Sequence, residues 1–297
     1  MAESPAHKFG QIIGDVLEAA VEPLLGSFAE EHDLYLDKKG PRPARRGNKV
    51  SWTDNNGNTH DLDYVIERGG SGAKIGKPIA FIETAWRRYT KHSRNKAQEI
   101  QGALVPLLET YKNDAPLIGA ILAGVFTDGA LTQLRSLGFA VVYFPYESVI
   151  EAFNRAHLDA NFDEGTADAE FSRKIRAWEG LGRAQRMRVA KALLEINGDQ
   201  IQGFMDKLKR AVTRRIQSVR IIPLHGSAVQ CSSIEEAIAF VEKYSEQSLP
   251  QPVVKYEVQV LYTNGDRIEG QFGDKRDAIQ FLGAYREERI AEVRKPR

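Results

Sequence analysis

The chain has 297 residues, of which 42% are hydrophobic and 27% charged; this is a globular balance, and the length favours two domains over one core. No run of about 18 apolar residues occurs, so no membrane span is expected, and the first residues lack a basic-then-apolar signal pattern. Cys231 is the single cysteine, which excludes an internal disulfide and fits a reducing cytoplasm, while a net charge of +1 argues against a uniformly basic surface.

Residues 9–32 read as a helix, because Ile13, Leu17, Ala20, Leu24 and Phe28 keep one apolar face. Pro23 is expected to kink it or to end its first half. A basic loop over residues 38–49 follows, holding Lys38, Lys39, Arg42, Arg45, Arg46 and Lys49 with no acid among them. Residues 50–52 and 60–66 read as strands joined at Asn56-Gly57, a pair that tolerates the positive φ of a hairpin turn. Gly69-Gly70-Ser71-Gly72 reads as a flexible loop and residues 77–85 as a third strand.

A second helix is expected to start near Thr90 or Ser93, either being a possible cap. Ala97, Ile100, Leu104, Leu107 and Tyr111 give its buried stripe, and Pro106 is expected to kink it. Residues 117–126 form a continuous apolar run, the pattern of a strand buried on both faces. Residues 129–137 read as a short helix closed by Gly138, and residues 139–144 as another buried strand. The resulting order is α-β-β-β-α-β-α-β, an α/β fold with a mixed sheet. An acidic stretch around Gly165 suggests a linker, and residues 167–214 read as two or three basic helices. A weak internal repeat follows. Residues 236–244 match residues 277–285, and each helix follows a strand pair: 219–224 with 228–231, and 256–262 with 267–272. Asn264-Gly265 supplies the second hairpin turn. The expected domains are 1–155, a basic helical segment 156–214, and a small α+β module 215–297 of two ββα units that binds DNA or a second subunit.

The residues with chemical promise cluster in the first half. Asp63, with Asp61 as competitor, ends a strand, and Glu83 ends the apolar run Ile79-Ala80-Phe81-Ile82. Arg87, Arg88, Lys91, Arg94 and Lys96 follow at once, so two carboxylates face a cationic helix start, a place that already favours phosphate oxygens. The element order, the Asp and the Glu together resemble the PD-(D/E)XK nuclease superfamily, whose members include type II restriction endonucleases. The resemblance covers residues 9–147 and implies a restriction-endonuclease-like αβββαβ core. It implies that Asp63 and Glu83 hold Mg²⁺, and it places an accessory Glu of the first helix on Glu18. It also implies a lysine two residues after the Glu, where this chain has Ala85.

A substitute lysine follows from helical geometry. Lys96 lies on the arc of Ile100, Leu104 and Leu107, so it is expected to point at the sheet, on the first turn, with Glu83 as partner. Lys91, before the helix, is the alternative. His60 and His92 flank the site as polar or phosphate-binding residues, since no His/Cys spacing suggests zinc. Residues 54–58 read as a hairpin turn, because the Glu that would complete a calcium loop is missing.

The function expected from the resemblance is Mg²⁺-dependent hydrolysis of duplex DNA by a homodimer, since cutting both strands needs two sites. Asp63, Glu83 and Lys96 are the expected catalytic set and Asp63, Glu83 and Glu18 the metal set. Arg87, Arg88, Lys91, Arg94, Arg45, Arg46, Arg214 and Arg215 are expected on DNA, the last two from a third basic cluster over residues 207–220. A structure-specific or repair nuclease on the same fold is one alternative. A DNA-binding or scaffold protein that has lost cleavage is the other, and Ala85 favours it. No nucleotide cofactor is expected, because no Walker-type phosphate loop is present.

Overall fold

Ser4 accepts from the His7 N–H and Pro5 follows at the first helical position, so α1 (Pro5–Glu31) starts where its orphan donors are met. These are among the first residues placed in a computed structural model that describes residues 4–223, 227–245 and 255–286. Phe9, Ile13, Val16, Leu17, Ala20, Val21, Leu25 and Phe28 form the buried stripe of α1. Pro23 does not end the helix. Its ring removes the bond to the Ala19 carbonyl, and Ala19 lies on the exposed face, where water replaces it. Pro106 lies within α2 (Thr90–Thr110) for the same reason, since Gly102 is exposed.

Two compact units divide the chain at Lys209/Arg210. In the first, β1 (Leu34–Lys38), β4 (Tyr64–Arg68), β5 (Lys77–Arg87), β6 (Leu117–Gly124) and β7 (Ala140–Pro145) form one sheet in the order β1-β4-β5-β6-β7. The pairs β1/β4 and β4/β5 are antiparallel, whereas β5/β6 and β6/β7 are parallel. The unit is therefore mixed α/β. The strand at residues 34–38 is absent from the sequence reading, and the expected first strand lies elsewhere. β2 (Val50–Thr53) and β3 (Thr59–Leu62) make a separate two-stranded hairpin. Its turn is built by Gly57 at φ 83° and by the Asp54 carboxylate, which accepts from the backbone N–H groups of Asn56 and Asn58.

One face of the sheet packs on α2 and on α3 (Asp128–Ser136) through Phe81, Ile100, Leu104, Leu107, Leu122 and Leu131. Gly124, at φ 100°, is required where β6 passes β5, because a Cβ there would lie 2.1 Å from the Arg87 carbonyl. The other helices of this unit are α4 (Tyr146–Asn154), α5 (Asp168–Glu179), α6 (Arg183–Ile196) and most of α7 (Gly198–Thr213). α5 and α6 pack on α1. Among the described residues no helix is long and apolar enough to cross a membrane.

The second unit holds an antiparallel sheet in the order β11-β10-β8-β9: β8 (Ile216–Pro223), β9 (Val229–Cys231), β10 (Tyr256–Tyr262) and β11 (Arg267–Phe272). Its helices α8 (Ile234–Lys243) and α9 (Lys275–Gly283) are capped alike, Ser233 accepting from Glu236 N–H and Asp274 from Asp277 N–H. Gly265, at φ 92°, turns β10 into β11. Of the expected strand 219–224, residue 224 lies outside the described residues.

A buried ion network ties the loops to β1 and β4. Arg42 reaches Glu67 with both terminal nitrogens, at 2.6 and 2.9 Å, and Asp37 at 2.8 Å, and donates to the carbonyls of Ser71 and Lys74. Arg45 closes it at 3.1 Å from Asp37 and donates to the carbonyls of Lys38, Gly40 and Gly47. Removing one partner of such a network strands buried charge. Arg42→Met is expected to lower stability by about 3–5 kcal/mol, measured by chemical denaturation; a loss under about 1 kcal/mol would contradict this assignment.

Candidate functional site

The register of β4 against β5 builds the site. Tyr64 pairs with Ile82, so the next residue outward on each strand, Asp63 and Glu83, meet where β4 begins. Asp63 sits at the break between β3 and β4 and is held there by Thr84, whose backbone N–H and hydroxyl both donate to Oδ2 at 2.7 Å. Strand alternation turns Thr84 to the opposite face from Glu83, and as a neutral hydroxyl it carries no charge signal in the sequence.

Glu83 is 7% exposed, and its Oε1 has no hydrogen-bond partner. Its carboxyl is pushed up to about 8, first by burial and then by the Asp63 charge; Lys96 and a hydrogen bond from the Asp63 backbone pull the other way. Lys96 lies on the second turn of α2, not the first, because the helix begins at Thr90. It is partly buried, and its ammonium pairs with Glu99 at 3.5 Å, so it acts on Glu83 through space and not as its direct partner. No side chain caps α2; Ser93 is buried and its hydroxyl donates to the Thr90 carbonyl. Lys91 lies inside the helix, exposed, 3.5 Å from Glu164.

Glu18 comes from α1. Its carboxyl is raised by partial burial and then by Asp63 and Asp15, and Lys39 opposes them. Burial, followed by Glu18, Glu22 and Asp63, also raises the Tyr64 phenol. Glu18, Asp63, Glu83 and Lys96 thus share one electrostatic neighbourhood. Lys39, read from the sequence only as part of a basic stretch, belongs beside it. A cleft of about 560 Å³ opens between α1 and the end of β5, with Gly14, Glu18, Thr84, Arg87, Arg88 and Lys96 among its walls; Asp63 and Glu83 do not line it. Ala85 is 5% exposed and packs in the core with Phe81, Ala97 and Ile100, so its slot holds no charge.

Asp61 adds to the upward push on Glu83 through space, but its own carboxylate is taken. It is bound to Lys49 at 2.5 Å and Ser51 at 2.6 Å on the hairpin. His60 pairs with Asp54 at 2.9 Å, a contact that holds the Asp54 carboxyl down to about 2. His92 is exposed. The expected DNA contacts divide in the same way. Arg45 is spent on Asp37, and Arg214 is bound to Asp266 at 2.8 Å and stacked over Tyr262. Arg88 donates to the Phe162 carbonyl and lies 3.9 Å over the Tyr146 ring. Arg45 and Arg214 are held by these contacts, whereas Arg88 also lines the cleft. Arg87, half-buried, donates to the Trp86 carbonyl and lines the cleft. Arg46, Arg94 and Arg215 are exposed. Among the described residues no three His, Cys, Asp or Glu side chains stand close enough to hold a metal ion by themselves.

No protein family matches the chain, and no curated protein matches it. Among solved structures it is similar to a protein of unknown function, AF1548, at 13% identity, over 64% of this chain and 98% of that chain. The TM-score of 0.28 is too low to carry an argument.

The raised Glu83 carboxyl gives a pH prediction. A folded value above the unfolded one favours the protonated form, so this group's stability is complete below about pH 4.3 and is lost as pH rises to about 8. Glu83→Gln removes the charge and keeps the shape. It is expected to gain up to about 5 kcal/mol over the native protein at pH 9 and little at pH 4, by chemical denaturation. A difference that does not change with pH would contradict the assignment.

Proposed function

We propose that the first unit is a divalent-metal-dependent nuclease with a restriction-endonuclease-like core that hydrolyses phosphodiester bonds of duplex DNA. The observation that carries the reading is the unpartnered, buried Glu83 Oε1 beside Asp63, with Lys96 close by. Topology supports it: α1, the antiparallel β1, β4 and β5, then α2 and a parallel β6 give the order αβββαβ, with the β2–β3 hairpin inserted.

The residues fit a hard cation such as Mg²⁺, which is held by one or two carboxylates and takes its other oxygens from water and phosphate. Asp63 and Glu83 would hold it, with Glu18 at the edge. When bound, it would neutralise charge on the phosphate and lower the pKa of a nearby water. The protein's own part follows from its geometry. Thr84 fixes the Asp63 carboxylate. Burial by β5 keeps water from the unpartnered Glu83 oxygen. Lys96 adds positive charge beside Glu83, where a lysine two residues after the Glu is replaced by buried Ala85. Arg87 stands in the cleft wall for a phosphate oxygen. Cutting both strands needs two copies, a homodimer, with the second unit binding DNA or the partner copy.

Apolar Ala85 favours a second reading, a DNA-binding or scaffold protein that no longer cuts. Plasmid nicking in Mg²⁺ against EDTA separates the two. Cleavage is expected in Mg²⁺ alone, and Asp63→Ala or Glu83→Ala is expected to lower it by at least 100-fold while DNA binding persists. Binding without cleavage in any divalent cation would favour the scaffold, and cleavage surviving both substitutions would place the site elsewhere.

A further inference from the structure

Arg42, Arg45 and Arg214 each meet a carboxylate at 3.1 Å or less. Arg87 and Arg88, half-buried where β5 ends, form no ion pair among the described residues. Their contacts are to backbone carbonyls and aromatic rings, which take up donors but neutralise no charge. A positive charge withdrawn from water without a counter-ion is costly, and a bound anion would offset that cost.

Both side chains are presented from fixed backbone. The Val125 N–H donates to the Arg87 carbonyl at 2.7 Å, which ties the end of β5 to the chain after β6. Arg87 spends Nη1 on the Trp86 carbonyl, and its Nε and Nη2 make no hydrogen bond among the described residues. Arg88 is oriented by two bonds to the Phe162 carbonyl, at 2.9 and 2.5 Å, and by the Tyr146 ring 3.9 Å away. Both line the cleft with Lys96, and Glu18 is the one acid on its walls among the described residues. Trp86 and Tyr89 add aromatic surface. The volume of about 560 Å³ is that of a small-molecule site, too small for a duplex. Guanidinium forks match phosphate oxygens, and an aromatic wall suits a base.

We infer that this cleft is a pocket for a phosphomonoester, held by Arg87 and Arg88 and separate from the acid pair, which does not line it. A free nucleoside monophosphate and the phosphorylated end of a nucleic-acid strand share this chemistry. Binding here requires no cleavage, so the pocket and the nuclease reading can each fail alone.

Isothermal titration calorimetry of the full chain, at low salt and without divalent cation, tests the pocket with adenosine 5′-monophosphate and with adenosine. The monophosphate is expected to bind at one site per chain, and adenosine about tenfold more weakly or worse. Arg87→Gln and Arg88→Gln are each expected to weaken the monophosphate about tenfold or more, the loss of a charged hydrogen bond. Arg135→Gln, exposed on α3, is expected to leave it unchanged. Competition then identifies the source of the phosphate. Displacement of the monophosphate by a 5′-phosphorylated oligonucleotide, but not by the same strand with hydroxyl ends, assigns the pocket to strand ends. Displacement by neither assigns it to the free monophosphate. Equal displacement by both overturns the proposal, because the pocket then reads backbone diesters. No binding of the monophosphate, equal binding of adenosine, or affinity unchanged in both arginine variants also overturns it. If Arg88→Gln fails to fold, Arg87→Gln decides alone.

Discussion

A carboxylate oxygen buried without a partner raises the free energy of the folded state, and a second carboxylate beside it raises it further. Glu83 carries both burdens, because β5 is buried for most of its length and the register places Asp63 next to it. The surrounding structure holds this arrangement in place. β5 is fixed by β4 on one side and β6 on the other, Thr84 pins Asp63 with two donors, and the apolar stripe of α2 seats Lys96 within electrostatic reach. On the proposed reading, a divalent cation would relieve the repulsion and supply the absent partner together.

The contrast with the other buried charges is instructive. Asp37, Arg42 and Glu67 are as buried as Glu83, yet their partners are complete: Glu67 takes two bonds from Arg42 and one from the Gly76 N–H, and Arg42 adds two carbonyls. A network satisfied from within offers nothing to a ligand and joins strand to loop. The pair at Asp63 and Glu83 is satisfied on the Asp63 side only. The same criterion sorts the basic residues: Arg45 and Arg214 are consumed by Asp37 and Asp266, whereas Arg87 and Arg88, each bonded to one backbone carbonyl, line the cleft.

Much of the fold was legible because buried strands leave long apolar runs. Residues 79–82, 117–124 and 140–144 stand out, and Asn56-Gly57 and Asn264-Gly265 mark turns that the structure has. The edge strand β1 was not legible. Leu34–Lys38 has no clean alternation, and its buried Asp37 makes sense only with Arg42 and Arg45 in place. Pro23 does not end its helix, because its missing bond falls at the exposed residue Ala19, which depends on tertiary burial. At the site, alternation placed Asp63 and Glu83 side by side, whereas Lys96, expected inward on Glu83, is partly buried and pairs with Glu99. Long-range pairing was invisible. Arg214 finds Asp266 across 52 residues, so a run of cations in the sequence overstates the charge free to meet a polyanion.

On the proposed reading, Asp63 and Glu83 form an acid pair that a divalent cation would complete. A ligand that binds only the folded state raises the unfolding midpoint. Thermal unfolding at pH 8 with and without millimolar Mg²⁺ therefore tests the claim most directly, on the native protein and on a variant carrying both Asp63→Asn and Glu83→Gln. The account requires Mg²⁺ to raise the midpoint of the native protein by several degrees and to leave the variant unmoved. An equal shift in both proteins, or no shift in the native one, would contradict it.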